Sequence, residues 1–322
     1  AHQTKFTVKA IPFECLSLLM RRRQAAPFSN GEIPMSTANG PYILTISCPD
    51  AVGIVAAVSG FLADRNLFIT ESSHFGDAIT GRFFMRTVFR GGPDLPPLKV
   101  LKADFAAVAE PFSMEWNIYD AAIKPRLLIL VSKFDHCLHD LLYRTRTGTL
   151  AVEIPAVVSN HPDLQRAVEW NGIPYHYLPV TKETKAEQEA KILEMVDRLD
   201  INLIVLARYK QVLSLDLCKA LSWRCINIHH SFLPSFKGAK PYHQAHARGV
   251  KIIGATAHYV TTDLDEGPII EQGVVRVDHT HTPEDFIALG RDVECAVLAR
   301  AVEYHIEHRV LANGNRTVVF AR

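Results

Sequence analysis

Two segments of the chain carry residue types that can move protons and stabilise charge. The first reads Arg224-Cys-Ile-Asn227-Ile-His229-His230-Ser231-Phe-Leu-Pro234. Its apolar start predicts a strand, and Pro234 ends it. Residues i and i+2 of a strand share a face, so Asn227 and His229 point the same way at the strand end. That pair suits acyl chemistry. A side-chain amide can donate a hydrogen bond to a developing oxyanion, and an imidazole can move a proton near neutral pH. Taken alone, Asn-x-His also fits a structural strand end. The second segment is Ile252-Ile-Gly254-Ala-Thr256-Ala-His258-Tyr-Val260, a strand, followed by Thr261-Thr-Asp263-Leu-Asp265-Glu266-Gly267-Pro268. A carboxylate from this loop, set against Asn227 and His229, could orient the imidazole or a water. Asp263, Asp265 and Glu266 all compete for that role, and a turn rich in Asp and Gly needs no function.

The elements that must position these groups fall into two patterns. The chain has 322 residues, which suggests two domains. Hydrophobic residues make up 48% and charged residues 21%, which excludes wholesale disorder and coiled coils. Lys plus Arg is 35 against 34 for Asp plus Glu, so the +1 balance offers no reason to expect nucleic acid or a membrane surface as partner. Six cysteines, with no Cys-x-x-Cys pair, point to a reducing compartment, hence the cytoplasm. No apolar run nears the roughly 18 residues of a membrane span.

Residues 1–40 show no period and are expected to be a disordered extension or an upstream-translated segment, with Met35 as a plausible native start and a transit peptide as the other reading. Residues 41–120 predict a βαββαβ, ferredoxin-like domain: strands over 42–47, 67–74, 82–89 and 113–119, helices over 54–65 and 98–109. Residues 121–125 are the linker. Residues 126–322 alternate short apolar strands (127–131, 154–158, 203–207) with helices (138–145, 164–171, 185–199, 215–221). This is an α/β, doubly wound, mostly parallel sheet, whose site lies beyond the carboxyl ends of its strands.

These motifs carry resemblances. Asp50-Ala-Val-Gly53-Ile-Val-Ala, opening a helix after the first strand, resembles the ACT regulatory domain, which implies an amino-acid effector there and a homo-oligomer. Asn227-Ile-His229 through Gly238, then Gly254 to Val260 and Leu264-Asp265-Glu-Gly267-Pro268, resemble the folate-dependent formyltransferase fold over residues 125 to 305. The resemblance puts the catalytic set on Asn227, His229 and Asp265. It implies a pterin pocket walled by Lys210, Gln211, Val212 and Leu213, closed on the other side by the loop holding Thr261, Asp263 and Glu266. The substrate implied is 10-formyltetrahydrofolate, with no other cofactor.

The acceptor of the formyl group is a separate question. Ser132-Lys-Phe134-Asp135-His136-Cys-Leu138 follows the first strand of this sheet and holds no glycine, which disfavours a substrate phosphate there. That loop, the run Asn-Ile-His-His230-Ser and the ACT-like domain ahead of the transferase fold all resemble the formyltetrahydrofolate deformylases. The implied reaction is hydrolysis to tetrahydrofolate and formate. Formyl transfer to an unidentified amine and a non-catalytic folate- or amino-acid-binding regulator are the alternatives. His243-Gln-Ala-His246 has helical i, i+3 spacing and could join His229 or His230 on zinc, but a folate site accounts for the same histidines, and no metal is expected.

Overall fold

The apolar strands and helices of residues 40–120 close on one another in a computed structural model that describes residues 40–92, 95–231 and 241–321. Strands β1 (Tyr42–Pro49), β2 (Phe68–Asp77), β3 (Arg82–Arg90) and β4 (Glu115–Asp120) form an antiparallel sheet in the order β2-β3-β1-β4. Helices α1 (Ile54–Ala63) and α2 (Leu98–Ala109) cover it through a core that includes Leu44, Ile46, Phe61, Leu62, Phe105 and Ile118. This is the expected βαββαβ arrangement. Gly53, in the left-handed region at φ 99°, is the N-cap of α1, and no side chain caps that helix. The β2–β3 turn is held by Asp77, whose carboxylate accepts from the Ile79 N–H and the Thr80 hydroxyl, each at 2.9 Å.

The second sheet has seven strands in the order β11-β10-β9-β8-β5-β6-β7. Its elements run β5 (Arg126–Val131), α3 (His136–Thr147), β6 (Glu153–Ser159), α4 (Gln165–Trp170), β7 (Tyr175–Tyr177), α5 (Lys185–Arg198), β8 (Leu203–Ala207), α6 (Leu215–Ala220), β9 (Cys225–His229), α7 (Pro241–Ala247), β10 (Ile252–Tyr259), β11 (Ile269–Arg276) and α8 (Pro283–Ile306). A hairpin of β12 (Val310–Asn313) and β13 (Arg316–Val319) follows. Strands β7 through β9 pair in parallel, while β10 and β11 run antiparallel. All five residues of β8 are buried, as a strand covered on both faces must be. The chain passes to one side of β5 through β6 and β7 and to the other through β8 and β9. A crevice therefore opens beyond the strand ends where the winding reverses.

Helix α8 has no counterpart among the helices expected from the sequence. It starts on a capping box, Thr282 with Asp285, and Pro283 stands at its first position. Its buried face includes Phe286, Gly290, Glu294, Val297, Leu298 and Ala301. A glycine and a carboxylate interrupt that stripe, so the apolar period is broken where the helix is most covered. Gly290 lies under the Tyr242 ring, where a Cβ would come within 2.2 Å of the ring carbon. None of the described helices is long and apolar enough to cross a membrane.

Both sheets belong to one compact unit, Ala38–Arg322, and buried polar groups join them. Arg86 of β3, only 3% exposed, donates to the Glu307 carbonyl at the end of α8 at 3.0 Å and to Glu71 at 2.7 Å. Arg309 reaches the same Glu71 at 3.0 Å. Asn313 of the hairpin donates to Asp77 at 2.8 Å. His308 stacks on Tyr119 of β4 with ring centroids 3.5 Å apart, and His305 pairs with the Tyr259 hydroxyl at 2.7 Å.

Burial pushes His305 down to about 4 and His308 to about 3, from an ordinary 6.5. The unfolded chain accepts protons that these rings refuse. Their contribution to stability is therefore complete above the ordinary value and falls as the pH drops toward the folded values. Melting temperatures measured from about pH 7 to about pH 4 should decline on acidification. His308→Gln should flatten that decline.

Candidate active site

Backbone register builds the centre of the site. Cys225, Ile226 and Ile228 are buried, while Asn227 and His229 reach the crevice at the end of β9. β10 runs antiparallel to β9 with His258 opposite Asn227 and Thr256 opposite His229. The Asn227 amide nitrogen lies 3.2 Å from Nε2 of His258, and His258 Nδ1 lies 2.9 Å from the Tyr259 carbonyl. A carbonyl only accepts, so Nδ1 carries the proton and Nε2 of a neutral ring accepts from Asn227. His258 is 2% exposed and thereby fixes which edge of Asn227 donates.

The acidic loop brings a carboxylate back over this pair. Asp265 Oδ1 lies 3.3 Å from His229 Nδ1 and 3.7 Å from His258 Nε2. The His229 ring beside it holds the Asp265 carboxyl well below the usual carboxylate range. The residue sits at φ 57°, a left-handed conformation that Asp tolerates better than most and that gathers at functional sites. The return of the loop depends on Gly267. The Tyr259 N–H donates to the Pro268 carbonyl at 2.9 Å, and a Cβ on Gly267 would fall 1.7 Å from the Tyr259 oxygen.

The opposite wall is the stretch 208–214. Val212 and Leu213 lie in the loop ahead of α6, which begins at Leu215. Three bonds tether the stretch, one from Ser132 and two from α5. The Lys210 N–H donates to Ser132 Oγ at 2.9 Å, the Ser214 N–H to Glu189 at 2.9 Å, and Gln188 to the Tyr209 hydroxyl at 2.6 Å. Lys210 is lowered from its ordinary value by burial and by Arg208.

Between the walls lies a pocket of about 990 Å³, open mouth included. Asn227, His229 and Asp265 line it, with Lys210, Gln211, Val212, Leu213, Thr261 and Asp263. Glu266 is not in that lining; its N–H is turned back to the Asp263 carbonyl at 3.3 Å. A pocket of that size with apolar walls and a few convergent polar groups fits a planar heterocycle.

Several groups at the site were not singled out for a role by the sequence reading. His258 stood in plain view on its strand, and only the β9–β10 register makes it the partner of Asn227. Behind the pocket, Glu294 is 1% exposed and takes bonds from His136 at 2.8 Å and the Tyr242 hydroxyl at 2.7 Å. His230 stacks on His229 with centroids 4.9 Å apart, and burial, then Arg208, push it down to about 3, so it is uncharged at neutral pH. His246 faces elsewhere, its ring against Phe286 and its Nε2 3.1 Å from the His281 carbonyl. It does not join His229 or His230. Among the described residues His136, Cys137 and Glu294 bring ligand atoms within 4.8 Å of one another. Arg208 lies 3.2 Å from Glu294 and would repel a metal ion there.

Residues 125–302 match the family profile described as formyl transferase. The curated formyltetrahydrofolate deformylase of Corynebacterium sp. (strain P-1) is 53% identical over 280 residues, 86% of this chain and 97% of the relative. The crystal structure of the formyltetrahydrofolate deformylase from Burkholderia mallei ATCC 23344 superposes with a TM-score of 0.84 at 54% identity, covering 88% of this chain and 100% of that one. A glycinamide ribonucleotide transformylase from Symbiobacterium toebii aligns with a TM-score of 0.57 at 27% identity, over 62% of this chain and 95% of its own. A formyl transferase fold is thus the class. Within it, the chain belongs to the formyltetrahydrofolate deformylase family.

Gly267→Ala should leave the fold largely intact but lift the acidic loop off Tyr259 and carry Asp265 away from His229. A displacement of about 1 Å near the chemistry can cost on the order of 10²-fold in rate. Steady-state turnover beside a circular dichroism spectrum checks this.

Proposed function

We propose that this chain hydrolyses 10-formyltetrahydrofolate to tetrahydrofolate and formate, with Asn227, His229 and Asp265 as the catalytic set. The observation that carries the reading is the convergence of those three groups, with His258, at the floor of a pocket whose walls suit a pterin. Lys210, Gln211, Val212 and Leu213 form one wall in this reading; Thr261 and Asp263 form the other. Glu266 supports the turn of the loop.

The chemistry follows from the donor pattern. Asp265 accepts from His229 Nδ1–H, which leaves the other ring nitrogen free for a water. The water oxygen bonds to the formyl carbon as its proton passes to His229. The carbonyl oxygen becomes an oxyanion and receives the Asn227 N–H that His258 has aimed. The C–N10 bond then breaks, N10 takes the proton back from His229, and the formic acid so formed gives its proton to solvent and leaves as formate. No charge needs to move further than one hydrogen bond.

The finer assignments extend the same reading. Residues 41–120 serve regulation and assembly, with an amino-acid effector near the turn from Asp50 to Gly53, in a cytoplasmic homo-oligomer. Residues 126–322 carry the chemistry. What supports this division is that the catalytic groups all stand on the second sheet, while the first meets it through α8 and the terminal hairpin.

Formate should be released from 10-formyltetrahydrofolate in buffer with no amine added; dependence on an amine would overturn hydrolysis. Asn227→Ala should lower kcat by about 10²–10³ while the dissociation constant of a non-hydrolysable folate analogue stays near its starting value. Asp265→Asn should lower kcat by up to about 10⁴, the scale for losing the acid that orients a catalytic histidine in a serine-protease triad. Asp263→Asn should be milder. The reverse order of the two Asp variants would move the essential carboxylate to Asp263.

A further inference from the structure

Arg208 follows β8 directly and lines the same pocket as Asn227, His229 and His230. It is 9% exposed and sits at φ 66°, a left-handed conformation unfavourable for an Arg. Its Nε lies 3.2 Å from Glu294, yet that N–H is buried without an aligned acceptor among the described residues. Both oxygens of Glu294 already take bonds, from His136 and Tyr242. Phe134 lies over the guanidinium at 5.5 Å. The carboxylate therefore supplies counter-charge and the ring supplies a wall, but the terminal amino groups of Arg208 make no hydrogen bond among the described residues. A nine-tenths buried guanidinium in a pocket, with donors to spare, calls for a planar anion.

We infer that Arg208 forms a subsite for a small monocarboxylate at the reacting end of the pocket, and that its occupant is the formate released there. This rests on the hydrolytic reading given above. Hydrolysis turns a neutral formyl group into an anion beside Asp265, which repels it. Arg208, with Lys210 beyond it, is where that anion is attracted, and a guanidinium matches a carboxylate edge to edge. His230, uncharged beside them, lets the anion pass. The subsite gives the product a place to go without reprotonation and makes formate an inhibitor of its own formation.

The test titrates sodium formate into the hydrolysis assay on the full chain, with sodium chloride holding ionic strength constant. The native chain should be inhibited. Arg208→Gln should weaken the formate constant by about tenfold to a hundredfold, the loss of one charged hydrogen-bonding partner. Arg208→Lys, which keeps charge but not the fork, should fall between. Arg208→Gln strands the Glu294 carboxylate, so the double variant Arg208→Met, Glu294→Gln removes both charges and should show the same loss. An unchanged formate constant in either variant, or a native chain insensitive to formate, overturns the subsite. Binding of ¹³C-formate followed by NMR separates this from the parent reading. Formate binding lost in the variants, in a chain that does not hydrolyse the folate, keeps the subsite and ends the hydrolase. Hydrolysis without formate binding does the reverse.

Discussion

Asn227, His229 and Asp265 depend on one piece of backbone geometry: β10 lies antiparallel against β9, and its continuation folds back over its own last residue. The pairing of His258 with Asn227 orders the amide. The fold-back at Gly267 then delivers Asp265 to His229. A one-residue slip between these strands would turn His258 to the other face and remove the partner of Asn227. The catalytic sheet is parallel through most of its width, but its chemistry arises where it stops being parallel. β10 exits at the edge where β9 begins, with the Val260 N–H donating to the Cys225 carbonyl at 2.9 Å, so the loop must fold back along the pair before Asp265 reaches His229.

The second constraint is desolvation. Glu294 lies within the protein, and a buried carboxylate persists only when its partners compensate the loss of water. His136, Tyr242 and Arg208 do so from three different elements, α3, α7 and the end of β8. The cluster thereby ties those elements to α8 and shapes the wall behind His230. Arg208, which supplies the counter-charge, is itself held in a left-handed conformation, as Asp265 is. Strain and burial thus collect around the same pocket.

Helix α8 connects the two sheets. Its middle holds the carboxylate behind the pocket, its last turn holds Tyr259 through His305, and its final carbonyl at Glu307 is held by Arg86 of the first sheet. Tyr259 is also the residue whose carbonyl sets the His258 tautomer and whose backbone receives the returning loop. The first sheet contributes no catalytic side chain in this reading, yet it packs against the end of the element that braces the site.

Much of this was legible in residue order. The helical spacing in α1 and α2 and the turn residues between the strands mark residues 41–120 as a βαββαβ domain, because each helix buries one apolar stripe. The continuous apolar runs of β5, β6 and β8 mark buried parallel strands because both faces of that sheet are covered. Asn227 and His229 were legible as a pair because strand spacing is local. The choice among Asp263, Asp265 and Glu266 was not, since a loop has no period; only the approach of Gly267 to Tyr259 decides which carboxylate faces His229. Helix α8 escaped notice because Gly290 and Glu294 occupy its covered face, and both are explained by groups more than forty residues away. His258 and Arg208 are ordinary residues in the sequence. Their roles come from neighbours across a strand pair and across the sheet, which no local pattern encodes.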